Sequence, residues 1–233
     1  MSNLHAHSIA AASLDTLNIQ KKAPMAIQKE QVIQVAMDLL DELGIEGVTM
    51  RKLAQALDIK AASLYWHFAN KQELMDGMAD MLMENVARKA PRHHQWEERL
   101  RHIAVEIRRA MLKHRDGARV FAGSYGVAEN VMRVGNAMMA TLAEAGANTR
   151  LSSWGSFSVL YYVLGFVMEE QALGTDNDID MDARRAAFMA LANTGYPHAY
   201  EAADDIFNHN FDQRFALGLD LLIRGFKSRI AES

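Results

Sequence analysis

Thr49-Met50-Arg51-Lys52-Leu53-Ala54-Gln55-Ala56-Leu57-Asp58-Ile59-Lys60-Ala61-Ala62-Ser63-Leu64-Tyr65-Trp66-His67-Phe68-Ala69-Asn70-Lys71 is the stretch whose reading decides the fold. Two short amphipathic pieces meet at a break around Asp58 and Ile59. Leu53, Ala54 and Leu57 recur at helical spacing and give the first piece one apolar face. Leu64, Trp66 and Phe68 are read as the apolar side of the second. Its opening residues, Ala61, Ala62 and Ser63, are small. This is the layout of a helix-turn-helix, whose second helix sets its N-terminal residues against base edges in the major groove. Small side chains there let the helix approach the groove floor. Arg51, Lys52, Lys60 and Lys71 flank the unit and are placed to reach phosphates. An ordinary pair of core helices would share the hydrophobic pattern, so the pattern alone leaves both readings open.

Composition narrows the surroundings. A chain of 233 residues, half of them hydrophobic, has enough apolar surface for one sizeable core or two small ones. It has no Cys, which excludes disulfides and thiolate metal sites and suits a reducing cytoplasm. A net charge of -4 is not that of a general nucleic-acid binder, so any DNA contact must concentrate positive charge on one small face. No apolar run is read as reaching the length of a membrane span. Residues 8–14 are mildly apolar, but no basic residue precedes them, which argues against a signal peptide. The 15 Met residues suit adaptable packing, either in a core or around a pocket for varied ligands.

Outward from the central stretch, the pattern is helical throughout. Residues 1–24 show no sustained period and read as a flexible tail. Lys21 and Lys22 stand where an arm could touch DNA, or the tail has no role. A first helix is expected from Gln28 to Leu43, with Val32, Ala36, Leu39 and Leu43 in its stripe and Gly44 ending it. Thr49 caps the next helix. Asn70 with Glu73 forms a capping box, opening a helix expected to run to Lys89 and stop before Pro91. Trp96 to His114 follows, with Leu100, Ile103, Ile107 and Met111 inward. Asp116-Gly117 signals a turn, a short piece reaches Phe121, and Gly123 to Gly126 form a loop. Helices over 127–145 and 151–172 come next. The latter is apolar nearly all round, so it must be covered on more than one side. After an acidic loop and a short helix over 183–192, the last helix spans 212–230, with Phe215, Leu219, Leu222 and Phe226 inward. Gly218 and Gly225 lie on one face and imply close approach of another helix. No strand-like alternation is long enough for a sheet, so the fold class is all-α.

Enzyme chemistry finds little support. His114, Arg115 and Asp116 are adjacent, as are Glu169 and Glu170, but neither group matches a nucleophile–base signature or a metal motif. Neighbouring helix residues point in different directions, so the two Glu cannot face one another. Glu170 reads as solvated charge, and His93-His94, beside Pro91, as surface.

The order of residues says more than the pattern. Gly44-Ile45-Glu46-Gly47-Val48-Thr49, Arg51-Lys52-Leu53-Ala54-Gln55, Leu64-Tyr65-Trp66-His67 and Asn70-Lys71 resemble the DNA-binding domain of the tetracycline-repressor (TetR) family. The likeness continues through His114-Arg115-Asp116-Gly117-Ala118, Leu164-Gly165-Phe166-Val167-Met168-Glu169 and Leu222-Ile223-Arg224-Gly225, covering most of the chain from about residue 27. The resemblance implies three parts: the tail over 1–24, a three-helix DNA-binding domain over 25–71, and a helical ligand-binding and dimerisation domain over 72–233. It places Thr49, Arg51, Lys60, Ala61, Ala62, Ser63, Tyr65, His67 and Lys71 at double-stranded operator DNA. It implies a homodimer through the helices over 151–172 and 212–230. A pocket is expected among Met78, Met81, Ile103, Ile107, Phe121, Tyr125, Trp154, Phe157, Tyr161 and Glu169, with the helix from Asn70 carrying its signal to the head.

Departures from the family refine this. Phe121 stands at the position of the family's metal-ligating His. Ala87, Ile103 and Ile107 stand at polar drug contacts. Ser124 replaces a Thr and Tyr125 an Arg. Ala61 and Ala62 stand where Gln and Pro are found. The implied function is a cytoplasmic dimeric repressor, released from DNA by a small hydrophobic or aromatic ligand bound without metal or other cofactor. Its expected target is an efflux or resistance gene. The alternatives are a regulator answering a metal-chelated antibiotic, or a helical enzyme lacking a recognisable motif. The large, aromatic-rich C-terminal body argues against a purely architectural DNA binder.

Overall fold

The computed structural model describes residues 27–89, 95–124, 127–174 and 180–232. The expected tail, Pro91, His93, His94 and Tyr125 lie outside the described residues. Among those described, the regular structure is helical throughout, as expected.

Three helices build the head: α1 (Lys29–Leu43), α2 (Met50–Ala56) and α3 (Ala61–Leu64). Gln28 opens α1 with a capping box, its backbone N–H donating to Gln31 Oε1 at 3.0 Å. Gly44, at φ 71°, closes it in a conformation that glycine adopts without strain. Thr49 Oγ1 accepts the Lys52 N–H at 3.2 Å and starts α2. Asp58 turns the chain at φ 51°. Leu53, Leu64 and Phe68 are fully buried together with Val32, Ala36 and Leu40 of α1. Trp66 is not with them. It is 89% exposed, because Leu64 and Phe68 are four residues apart on one face and the residue midway points away.

Helix α4 (Lys71–Leu82) joins head to body. The Asn70 capping box forms as read: Asn70 Oδ1 accepts from Glu73 N at 2.9 Å, and Glu73 Oε2 accepts from Ala69 N at 2.7 Å. Gly77 seats α4 close on the head: a Cβ there would fall 2.8 Å from Ile33 Cδ1, and the end of that side chain would have to shift. The helix ends near Leu82, short of the expected Lys89. Ala87 is left-handed at φ 55°, its N–H donating to Glu106 Oε2 at 2.8 Å. The Arg133 guanidinium takes up the carbonyls of Met83 and Glu84, both at 2.9 Å, and that of Val86.

The body contains α5 (Trp96–Leu112), α6 (Gly117–Ala122), α7 (Glu129–Glu144), α8 (Thr149–Ala172), α9 (Met181–Ala192), α10 (Pro197–Glu201), α11 (Ala203–Ile206) and α12 (Phe211–Ala231). α5 is the hub, packed on α6, α7 and α8, while α12 packs along α8. All but two of the buried hydrophobic residues, Ala192 and Ala203, form one continuous core from Val32 in the head to Phe226 in α12.

Three readings are corrected here. By length and apolarity α8, at 24 residues, does qualify as a membrane-spanning segment. It escaped notice because Ser152, Ser153, Ser156 and Ser158 break the run, yet Val159, Val163 and Val167 are packed in this core. Gly218 does meet another helix, since an added Cβ would strike the Tyr162 ring of α8, but Gly225 faces open space and does not. Glu170 is not a solvated charge. Its carboxylate takes two bonds from Arg108, at 2.7 and 2.9 Å, in a site walled by Phe166 and Phe215.

Candidate DNA-reading face and ligand cavity

Capping and burial decide which head residues face outward. With Leu53, Ala54, Leu64 and Phe68 inside, the helical period turns Arg51, Lys52, Ala61, Ala62, Tyr65 and Trp66 out. Lys60, at the N-cap of α3, and Lys71, at the start of α4, are also exposed. Ser63 and His67 are partly buried, and Thr49 has its hydroxyl engaged as the α2 cap. The nine sequence-predicted residues thus lie around α2, α3 and the start of α4. Trp66 is an addition that its assignment to the core had hidden.

The head is fastened to the body at the turn between α5 and α6. Asp116, left-handed at φ 55°, accepts the Ile45 N–H at 2.9 Å. Asp41 accepts the Arg115 N–H at 2.9 Å and sits 2.9 Å from His114 Nδ1. Arg119 pairs with Glu46, and its hydrogen bond holds that carboxyl below its ordinary range. Glu73 is lowered likewise, first by the Ala69 N–H and then by Lys29.

Behind this junction lies a cavity of about 330 Å³. Ile107 of α5 and Phe121 of α6 form one wall, and Phe157, Leu160, Tyr161 and Leu164 of α8 another. The third wall is α7, with Val131, Met132, Val134, Gly135, Met138 and Met139. Met83, just past α4, completes it beside Ala122 and Ser124. The lining is apolar apart from the Ser124 hydroxyl, which donates to Phe121 O at 2.8 Å, and the Tyr161 phenol. Phe157 and Tyr161 stack at 5.8 Å. A concave, apolar, aromatic-walled space with few polar groups has the makeup of a small-molecule site.

Of the pocket residues expected from sequence, Ile107, Phe121, Phe157 and Tyr161 line this cavity. Met78 and Ile103 are sealed in the core at 0% and 1% exposure. Met81 borders a separate, polar groove with Glu84, Glu106 and Arg109. Trp154 lies near the start of α8 under the Arg150 guanidinium, 5.4 Å from its ring centre. Glu169 points outward and lies 3.8 Å from Arg214. Tyr125 is outside the described residues. The α7 wall was missed altogether. Its signal was Val131, Val134 and Met138 at helical spacing, with Gly135 leaving a gap between them.

Comparison with known proteins now bears on this arrangement. The model of bacterial regulatory proteins of the tetR family matches residues 32–78, and that of the tetracyclin repressor-like C-terminal domain matches residues 90–230. The class A tetracycline repressor protein of Escherichia coli, from transposon 1721, is 35% identical over 206 residues, covering 87% of this chain and 92% of that protein. The chain belongs to the TetR family.

Two solved structures similar to this chain hold a small molecule and DNA, respectively. The Streptomyces coelicolor protein ActR, in complex with actinorhodin, superposes at a TM-score of 0.80, with 27% identity, 88% of this chain and 98% of ActR covered. BioQ, solved with its double-stranded DNA operator, superposes at 0.63 with 28% identity, 88% of this chain and 99% of that one covered. This TetR-family chain is therefore a transcriptional regulator with a helix-turn-helix head and a ligand-binding C-terminal domain.

The metal implied by the tetracycline repressors does not fit this cavity. A hard divalent cation needs several oxygen or imidazole ligands. The described lining offers neither carboxylate nor imidazole, and Phe121 stands where the family His is expected.

Proposed function

We propose that this regulator is a cytoplasmic homodimeric repressor, released from its operator by a neutral, largely apolar aromatic ligand bound without metal. The composition of the cavity carries the reading. Its walls are Met, Val, Leu and aromatic side chains, with the Ser124 and Tyr161 hydroxyls as the polar handles. Such a lining rewards burial of apolar surface and offers nothing to offset the desolvation of a charge.

The dimer reading rests on surface chemistry. Trp154 and Met168 of α8 and Leu217 and Leu221 of α12 are large, apolar and exposed on the single chain. Gly165 and Gly225 on the same two helices face open space and would allow a second pair of helices to approach. A two-fold dimer would present two heads to a palindromic site. On DNA we place Arg51, Ser63 and Tyr65 near bases and Lys60, His67 and Lys71 on phosphates, with Thr49, Ala61 and Ala62 close to the groove wall. An export or resistance gene is the target most in keeping with an apolar drug-like inducer.

The test is to select the operator from random DNA and then titrate aromatic compounds against the complex, with and without a chelator. Release that is indifferent to the chelator supports the reading. Release that vanished on chelation and returned with Mg²⁺ would overturn it.

A further inference from the structure

Helices α4 and α7 cap each other. The residue before α7, Ala128, offers no side chain to cap its N-terminus. Asp80 of α4 does so instead. Its Oδ1 accepts the backbone N–H groups of Asn130, at 2.7 Å, and Val131, at 3.1 Å, and its Oδ2 accepts Asn130 Nδ2 at 2.7 Å. In return Arg133 of α7 donates to the carbonyls of Met83, Glu84 and Val86, where α4 ends, and is steadied by Asn130 Oδ1 at 2.8 Å. A carboxylate at a helix N-terminus and a guanidinium at a helix C-terminus each match the helix dipole they meet. These groups sit beside the cavity, since Val131, Met132, Val134 and Met83 line it. The other end of α4 is tied to the head, through Gly77 against Ile33 and through the Lys29–Glu73 pair at 3.3 Å.

We propose that Asp80, Asn130 and Arg133 are positioning residues that couple the cavity to DNA binding, by making the end of α4 move with the α7 wall. The proposal rests on the ligand-responsive reading above. A ligand that displaces α7 then displaces α4 through six hydrogen bonds rather than by loose apolar contact. Breaking the clasp leaves both sites intact and removes the coupling between them.

Gly135 supplies a test that needs no known inducer. It lines the cavity, and a Cβ there meets nothing within 4 Å. Gly135→Trp therefore builds an aromatic ring into the ligand's place. Using full-length protein and an operator selected from random DNA, we expect Gly135→Trp to weaken operator binding about tenfold or more. Added to Arg133→Met, the same substitution should change operator binding by less than about threefold, within the lower limit of ordinary coupling. Asp80→Asn, which keeps the side chain's shape, should give the same result from the other side of the clasp. N-phenyl-1-naphthylamine, a neutral dye that fluoresces in apolar sites, should bind the parent, Arg133→Met and Asp80→Asn, but not Gly135→Trp. Its binding also reports that the clasp variants have folded with the cavity intact. The proposal is overturned if Gly135→Trp weakens operator binding equally with and without the clasp, or has no effect while excluding the dye. If selection yields no operator, or the dye binds no form of the protein, the functional reading beneath it falls instead.

Discussion

Glu169 and Glu170 are adjacent in sequence, yet their removal should have very different consequences. Arg108 is 8% exposed and makes three hydrogen bonds to carboxylates, two to Glu170 and one to Asp212 at 2.7 Å. Phe166 and Phe215 stand 5.6 and 4.8 Å from its guanidinium carbon. Hydrogen bonding to Glu170, and less so to Asp212, raises the arginine's pKa despite its burial. Glu170→Leu strips the charge of its buried partner and leaves it Asp212, whose side chain is 89% exposed. Breaking a buried pair costs about 3–5 kcal/mol, and the remaining Asp212 bond places this case near 3. For a chain of this size that is a fall in melting temperature of roughly 6–12 °C. Glu169→Leu removes an exposed contact at 3.8 Å and should cost about 0–1 kcal/mol. Arg108→Met combined with Glu170→Leu should recover most of the loss, because the walls are already apolar and Asp212 can hydrate. Thermal and urea unfolding at one fixed protein concentration measure all four forms, fixed because the proposed dimer would contribute to apparent stability. If Glu170→Leu matched Glu169→Leu within about 0.5 kcal/mol, the buried-pair account would be wrong.

Three further outcomes follow from the same geometry. Lys71→Ala should weaken binding to all DNA sequences alike and lower the salt slope by about one, whereas Arg51→Ala should relax base preference; unchanged preference in a selection experiment would remove Arg51 from the bases. Gly225→Arg should yield monomers in sedimentation at micromolar protein, since it adds a charge on the open face between α8 and α12; a persistent dimer would move the interface elsewhere. The head–body contact should weaken in acid: Glu46 has a lowered pKa, first through its Arg119 hydrogen bond, so its contribution is full above the ordinary value of 4.5 and fades as the pH falls through the lowered one. Amide exchange around Ile45 and Asp116 should therefore rise more below that pH in the parent than in Glu46→Gln, where the Asp116 and Asp41 bonds are all that acid can weaken.

The head was readable because its signals are local. Caps at Thr49 and Asn70 and the 53/57 and 64/68 spacings each need only a few neighbouring residues. Trp66 failed because hydrophobicity was weighed above the helical period: between Leu64 and Phe68 the period turns it outward. The cavity was half readable. The family resemblance points to Ile107 and Phe121, but it points equally to Met78 and to Ile103, one turn from Ile107 on α5, and these lie deeper, where head and body form one core. Distance from the centre of a core is not encoded in periodicity. α8 shows the same limit in another form. Its all-round apolarity said that more than one side is covered but not by what. The fold assigns Val159 and Val163 to the core and Phe157 and Tyr161 to the cavity, while Trp154 faces outward.

The end of α4 shows where local reading stops altogether. From Lys71 to Lys89 nothing in the sequence breaks a helix, and Pro91 is the first residue that must. The helix nevertheless ends near Leu82, because the carbonyls of Met83, Glu84 and Val86 find Arg133, and the Ala87 N–H finds Glu106. Both partners are distant in sequence, on α7 and α5. A helix that stops where other helices hold it has an end set by their position, unlike one stopped by proline, whose end is fixed by its own chain. For a connector between a ligand cavity and a DNA-reading head, that difference bears on function: when the cavity walls move, the end of α4 has partners that move with them.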